Sequence, residues 1–459
     1  MQNISRHFRV RDEKNQFTTH ALWALILPLV LEQLLSVTIG MADTVMVSRT
    51  GDAGDAAVSA VSLVDSINNL LIQLFSALAT GGAVVTSQYL GAQDLPMARR
   101  SGKQLIYASV LLAAAISLPC ALLRGGILDA LFHGVEPDVM RGCSEYFILG
   151  LISYPFLALY SSCTALFRAQ GDSRTPLYCS ILMNVANIGG NAYLIYGLNL
   201  GVFGAGLATL ISRAAGGVFM LCMLQRRTSK LRISRLLRPE FDGGMIARIL
   251  RIGVPSGLEN SLFQVGKVLL SRLVSSLGTY AIAANAISWT MASLLCVPVN
   301  SVGVGLLTIS GVCMGADNPD GAEYYTRKLV RVAYIGMGIT CGVMQLIIEP
   351  LSGLFGLSEP SRVLVCQIIR LYAVMVFLEA PISFVVPSLL RGAGDVRFPM
   401  LVSALSMWGF RVGASYLLCS GWNLGLPGVW YAMYLDWTCR FALFFWRMVS
   451  GRWRRFRVI

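Results

Sequence analysis

The sequence predicts an all-α integral membrane protein with twelve transmembrane helices in two six-helix lobes related by an internal repeat. Composition, long apolar segments and duplicated motifs support this fold class. Of the 459 residues, 55% are hydrophobic and 13% are charged, about half the charged share of roughly 25% that is typical of soluble domains. The mean hydropathy of +0.64 likewise favours a polytopic membrane protein.

Twelve segments are long and apolar enough to cross a bilayer, which requires about 20 residues each. They lie at about 21–47, 57–90, 103–123, 142–167, 176–197, 204–225, 249–277, 280–312, 328–348, 363–390, 399–420 and 427–447. The predicted organisation is an N-terminal segment 1–20, an N-terminal lobe 21–225, a basic linker 226–248, a C-terminal lobe 249–447 and a basic tail 448–459.

Basic residues concentrate after the even-numbered segments. Arg99, Arg100 and Lys103 follow the second segment, and Arg226 and Arg227 follow the sixth. Loops after odd-numbered segments contain few Lys or Arg, so the positive-inside rule predicts that both termini are cytoplasmic in an inner (plasma) membrane protein. The same distribution explains the net charge of +13 without a nucleic-acid partner.

The two halves share four collinear motifs. The matched pairs are "PLVLEQLL" (28–35) with "PSGLENSL" (255–262), "GGAVVTSQYLGAQD" (81–94) with "GLLTISGVCMGADN" (305–318), "RAQGDSRTP" (168–176) with "RGAGDVRFP" (391–399), and "LNLGVFGAG" (198–206) with "WNLGLPGVW" (422–430). Because six is an even number, both halves enter the membrane with the same orientation. Parallel repeats of this kind are typical of secondary transporters, which bind their substrates near the bilayer midplane.

Three carboxylates of the first half lie well inside apolar segments, at Glu32, Asp43 and Asp65. Glu32 and Asp43 are eleven residues apart, about three helical turns, so the spacing predicts that they share one helix face. A carboxylate in the bilayer interior costs several kcal/mol and usually marks a function. We interpret this set as an acidic region that binds a proton or Na⁺, with Asp43 as the candidate Na⁺ ligand and no structural metal site.

An asparagine stripe on the fifth segment is a second polar feature of the first half. Asn184, Asn187 and Asn191 recur at helical spacing. They either help to bind the coupling ion or form hydrogen bonds between helices, which is common for Asn in membranes.

The second half contains five candidate charges in a network: Glu259, Lys267, Glu379, Arg411 and Asp436. Each needs a partner, a proton or an aqueous cavity. We expect Lys267 and Arg411 to neutralise Glu259, Glu379 or Asp436. Arg440 lies four residues after Asp436, which places both side chains on one helix face and predicts an ion pair.

Several functional classes lack their sequence signatures. No G-x-x-x-x-G-K-[ST], H-E-x-x-H or G-x-S-x-G motif stands out, which argues against a P-loop ATPase and against an enzyme. The 11 cysteines are scattered without a C-x-x-C pair, so no redox or metal cofactor is predicted. Energy coupling is then expected from a gradient of H⁺ or Na⁺, between which the sequence does not decide.

Taken together, the motifs resemble the multidrug and toxic compound extrusion (MATE) family over essentially the whole chain. The resemblance rests on "MADTVMVS" (41–48), "SQYLGAQD" (87–94), "RAQGDSRTP" (168–176), "GVPSGLENSLFQVGK" (253–267) and "LLRGAGDVRFP" (389–399). It implies a Na⁺- or H⁺-coupled antiporter, expected to be monomeric, that exports amphipathic, often cationic compounds by alternating access. A flippase for lipid-linked saccharides is the alternative of related architecture.

The resemblance also assigns residue roles. Asp43 matches the family's acidic residue on the first span and is therefore implied as the ion-binding or proton-binding group. The chain departs from both main branches of the family. Asn191 replaces the fifth-span Asp of DinF-like proteins, Phe263 occupies the place of the seventh-span Glu of NorM-like proteins, and Ala380, beside Glu379, occupies the place of their tenth-span Asp.

Overall fold

The computed structural model describes residues 17–48, 54–131, 137–226, 229–233, 240–353 and 358–459, and these are almost entirely helical. The helices are α1 Thr19–Ser48, α2 Gly54–Gly91, α3 Leu95–Leu122, α4 Arg124–Leu131, α5 Pro137–Ala169, α6 Arg174–Asn191, α7 Gly201–Gln225, α8 Gly243–Ser275, α9 Thr279–Leu295, α10 Val297–Gly315, α11 Pro319–Gly353, α12 Glu359–Ala393, α13 Arg397–Ser406, α14 Ala414–Tyr416 and α15 Leu426–Val449. Three π-helical segments, Ala192–Gly197, Met407–Gly413 and Leu417–Gly421, extend α6, α13 and α14.

The chain divides into two compact units. Residues Leu35–Gly257 form the N-unit, whereas the residues up to Leu34 and Leu258–Ile459 form the C-unit. Each unit therefore contains parts of both α1 and α8. The predicted lobes begin at the starts of these two helices, but the contacts instead assign the beginning of α1 to the C-unit and the beginning of α8 to the N-unit.

Within the described residues, nine helical stretches are long and apolar enough to cross a membrane. The predicted segments 176–197, 249–277 and 427–447 are helical but have no counterpart among the nine. Polar side chains explain the difference, because α6 carries the asparagine stripe, α8 carries Glu259 and Lys267, and α15 carries Asp436. The twelve-span count thus stays a prediction. The segment 280–312 is divided between α9 and α10, which meet at Cys296.

The duplication is visible in the backbone conformation. Gln93 and Asp317 both have positive φ, at 59° and 54°, and Asn199 and Asn423 both have φ of 53°. In each pair the second residue is 224 positions after the first, as in the sequence repeat. Positive φ is uncommon for residues other than glycine. Its recurrence at one offset therefore indicates that both halves retain the same turns between helices.

Equivalent glycines in the two halves allow close helix packing. A Cβ atom on Gly81 of α2 would lie 2.5 Å from the carbonyl oxygen of Ile249 and 2.8 Å from the backbone nitrogen of Gly253, both on α8. Gly305 of α10, 224 positions later, faces α1, where its Cβ would lie 3.4 Å from Cγ1 of Ile26. Small residues permit such approaches in membrane helices.

We expect Gly81→Ala to lower the stability of the purified protein by about 1–3 kcal/mol, because the added methyl group must displace backbone rather than a flexible side chain. The matched control is Gly342→Ala on α11, where a Cβ meets nothing within 4 Å. Thermal unfolding in detergent measures both variants. Equal melting temperatures for the two would contradict the packing described for Gly81.

Candidate functional sites

A polar network surrounds Asp65 in the N-unit. The side-chain amide of Asn68 donates to Oδ1 of Asp65 at 3.1 Å, and the Tyr146 hydroxyl donates to the same oxygen at 3.4 Å. The Tyr154 hydroxyl in turn donates to Oδ1 of Asn68. The two tyrosines come from α5, so the network joins α2 to α5. Tyr146 and Tyr154 were not predicted as site residues, since tyrosines in apolar segments carry no signal that separates packing from hydrogen bonding.

The asparagine stripe connects helices within the N-unit. Asn187 donates from Nδ2 to Oγ1 of Thr209 on α7 at 3.3 Å, and Asn191 donates to Oδ1 of Asn187 at 3.3 Å. Asn184 donates to the Ser180 hydroxyl at 3.3 Å. These contacts fit the helix-to-helix alternative. A role in ion binding stays a prediction, because the side chain of Asp43 lies outside the described residues, although its backbone belongs to α1.

Glu32 lies in the C-unit. Its side chain is buried in the first half of α1, which packs with α10. The part of α1 that contains Asp43 is assigned to the N-unit. The eleven-residue spacing places these two acids on one helix face. The structure nevertheless assigns them to different units.

Asp436 is the centre of a buried group of charges in the C-unit. Its Oδ1 accepts a hydrogen bond from Nε of Arg440 at 2.7 Å, which confirms the predicted ion pair. Nη1 of Arg411 lies 3.7 Å from Oδ2 of Asp436, so Arg411 pairs with one of the three acids that it was expected to neutralise. The hydroxyls of Ser403 and Ser406 accept further hydrogen bonds from Arg440. All three charged residues are at most 5% exposed, so their charges depend on one another for stabilisation.

Glu259 pairs with a different residue from those expected. Nη2 of Arg391 lies 2.7 and 2.8 Å from the two carboxylate oxygens of Glu259. Of the three acids that Lys267 and Arg411 were expected to neutralise, Glu259 therefore has another partner. Arg391 belongs to the last turn of α12 and not to a loop. A contact between residues 132 positions apart leaves no local pattern in the sequence.

Glu379 of α12 is a buried carboxylate with a hydroxyl as its partner. Its Oε1 accepts a hydrogen bond from Thr438 at 2.6 Å, while its buried Oε2 has no hydrogen-bond partner in the described part of the chain. No basic side chain among the described residues lies within ion-pair distance of it, so neither Lys267 nor Arg411 neutralises this one of the three acids.

Lys267 and Arg411 instead share two aromatic rings. Nζ of Lys267 lies 5.1 Å from the ring centre of Phe263 and 5.6 Å from that of Trp289. The guanidinium carbon of Arg411 lies 5.3 and 5.6 Å from the same two centres. Cations at these distances are attracted to the ring faces. The π-helical segment Met407–Gly413 carries Arg411, and such irregular turns often occur at functional sites.

A cavity of about 210 Å³ opens beside these cations, within the C-unit. Its polar lining includes Lys267, Asn285, Arg411 and the indoles of Trp289 and Trp430. Leu270, Val274, Val429 and Met433 contribute apolar surface. The cavity therefore combines two cationic groups with aromatic and aliphatic walls. No cluster of three or more potential metal ligands occurs among the described residues.

The duplicated helical units and their buried charges define a polytopic membrane transporter. The chain belongs to the MatE family, which it matches over residues 28–193 and 255–417, one stretch in each half. This is a family of transporters.

Similar proteins span nearly the whole chain. The uncharacterized transporter YisQ of Bacillus subtilis (strain 168) is 27% identical over 445 residues, 95% of each chain. The probable multidrug resistance protein NorM of Thermotoga maritima is 26% identical and covers 95% of this chain and 93% of its own. An outward-facing multidrug resistance MATE family transporter of the MOP superfamily has the same fold, with a TM-score of 0.86 at 20% identity over 94% of this chain and 96% of its own. These likenesses do not favour the flippase alternative.

Proposed function

We propose that this protein is a secondary active antiporter that exports amphipathic compounds across the plasma membrane in exchange for H⁺ or Na⁺. Membership of the MatE family supports the proposal, as does the likeness to relatives whose names describe multidrug resistance. The observation that carries it is a carboxylate, Glu379, buried in an apolar helix with a hydroxyl partner. A charge in this environment is costly, so a change of conformation that alters the exposure of Glu379 would change its affinity for a proton or an ion.

Coupling requires that the ion binds the outward-open and inward-open states with different affinity, since an ion that binds both equally shifts nothing. We assign this role to Asp43 in the N-unit, with Asn184, Asn187 and Asn191 as helpers. Glu379 is the corresponding group in the C-unit. We further propose a monomer with both termini in the cytoplasm.

Everted vesicles with separately imposed pH and Na⁺ gradients test the proposal. We expect transport of at least one of two fluorescent probes of opposite charge, ethidium and anthranilate, to follow one of the gradients. Asp43→Asn is expected to abolish the gradient-dependent part, because an amide neither gains nor loses a proton near neutral pH.

Asp129→Asn is the matched control, since Asp129 is an exposed carboxylate of the short helix α4. It should leave transport unchanged at equal protein level. Transport that depends on neither gradient, or that continues at full rate in Asp43→Asn, would contradict the proposed coupling.

A further inference from the structure

We infer that the cavity in the C-unit binds the acidic end of a small aromatic anion, such as an aromatic carboxylate or sulfonate. Lys267 and Arg411 would bind the acidic group, and Trp289 and Trp430 would contact the ring. The inference rests on the proposed export function and specifies the chemical class of compound that this site accepts.

The charge balance around the cavity is the first argument. Lys267, Arg411 and Arg440 all lie within 5.8 Å of the ring centre of Phe263. Asp436 is the carboxylate that contacts this group, and its 2.7 Å contact is to Arg440. No acidic side chain is part of the cavity lining in the described part of the C-unit. The cavity therefore has an excess of positive charge that an anion would neutralise.

Hydrogen-bond donors without partners are the second argument. Nε of Arg411 and Nε1 of Trp430 are buried and have no hydrogen-bond partner within the described residues. Both residues are 2% exposed and line the cavity. Buried donors are normally satisfied, and leaving them unpaired is costly. A carboxylate or sulfonate has acceptor oxygens for these two side chains, whereas an ammonium group has none to offer. Asn285 also lines the cavity, and its buried Oδ1 has no partner within the described residues, so it can accept a hydrogen bond from a donor group on the ring.

The size and walls of the cavity limit the ligand. A cavity of about 150 Å³ lined by aliphatic and aromatic side chains accommodates benzene, so about 210 Å³ has room for one ring with an acidic substituent. The aromatic faces do not favour a cationic ligand instead, because Lys267 and Arg411 already lie against the rings of Phe263 and Trp289. A third cation in the same place would be repelled by both.

Three probes with one skeleton and different charge test the inference: anthranilate (anion), 2-aminobenzamide (neutral) and 2-aminobenzylamine (cation). Binding to the purified full-length protein in detergent is measured by isothermal titration calorimetry, which reports all three probes alike. We expect anthranilate to bind at least about tenfold more tightly than either analogue, as charge-assisted hydrogen bonds are roughly twice as strong as neutral ones.

Lys267→Gln is expected to weaken anthranilate binding about tenfold, and Lys267→Arg to retain most of the affinity. Arg272→Gln is the matched control, because it removes the same charge from the same helix outside the cavity lining, and it should change the affinity less than about twofold. Melting temperatures of all variants establish that they are folded. Tighter binding of 2-aminobenzylamine than of anthranilate, or unchanged anthranilate binding in folded Lys267→Gln, would overturn the inference.

The binding assay needs no ion gradient, so the two proposals fail independently. Anthranilate that binds through Lys267 but is not moved by either gradient would count against the antiporter and leave the site standing. Gradient-driven export of ethidium without anthranilate binding would support the antiporter and count against the anion site.

Discussion

Replacing Asp436 with alanine is expected to lower the free energy of unfolding by about 3–5 kcal/mol, the largest stability effect that the structure indicates. The carboxylate is fully buried and contacts Arg440 at 2.7 Å and Arg411 at 3.7 Å. Its removal leaves two guanidinium groups buried without a counter-charge. Thermal or denaturant unfolding of the purified protein in detergent measures the loss.

The double variant Asp436→Leu with Arg440→Met provides the internal test. It removes a charge of each sign, so it should recover part of the stability that Asp436→Ala loses. Arg457→Ala is the surface control, because Arg457 is 79% exposed in its pair with Asp317, and exposed pairs contribute at most about 1 kcal/mol. A similarly small loss of unfolding free energy for Asp436→Ala and Arg457→Ala would show that the buried group of charges does not stabilise the fold.

Glu379→Gln is expected to reduce gradient-driven export at least about tenfold while the protein stays folded, which corresponds to an increase of roughly 1.4 kcal/mol or more in the activation free energy of transport. Glutamine has nearly the same shape and keeps an oxygen that can accept the hydrogen bond from Thr438, but it does not exchange a proton. Initial rates of probe export in everted vesicles, normalised to protein level, measure the effect.

Thr438→Val distinguishes the role of the Glu379 carboxylate from that of the hydrogen bond it accepts. It removes the hydroxyl that lies 2.6 Å from Glu379 but keeps the ionisable group, so export should persist with a shifted pH dependence. Full export by Glu379→Gln would exclude Glu379 from coupling and leave Asp43 as the carboxylate proposed for that role.

Local sequence patterns predict part of the fold and one contact of the candidate site. The apolar segments predict helices that the structure contains, and the i, i+4 spacing of Asp436 and Arg440 predicts an ion pair that it confirms. The repeat also persists in the positive φ angles of Gln93 and Asp317. These features depend on residues that are close in sequence or on direct copying between the halves.

Features that depend on distant residues were not predictable in the same way. Glu259 and Arg391 meet across 132 positions, and the division of α1 and α8 between two units follows from packing rather than from polarity. The sequence around Arg411 does not predict the π-helical segment, nor that Arg411 lines a cavity beside Lys267. One sequence identifies which charges are buried but not which of them are neighbours.

The proposed antiport couples export of a compound to movement of an ion. The most direct measurement uses proteoliposomes with a gradient of ethidium or anthranilate, no ion gradient, and trapped indicators for pH and Na⁺. Because coupling is reciprocal, flow of the probe down its gradient should drive H⁺ or Na⁺ in the opposite direction, and Asp43→Asn should abolish the ion movement. Probe flux through the wild-type protein without movement of either ion would contradict the account.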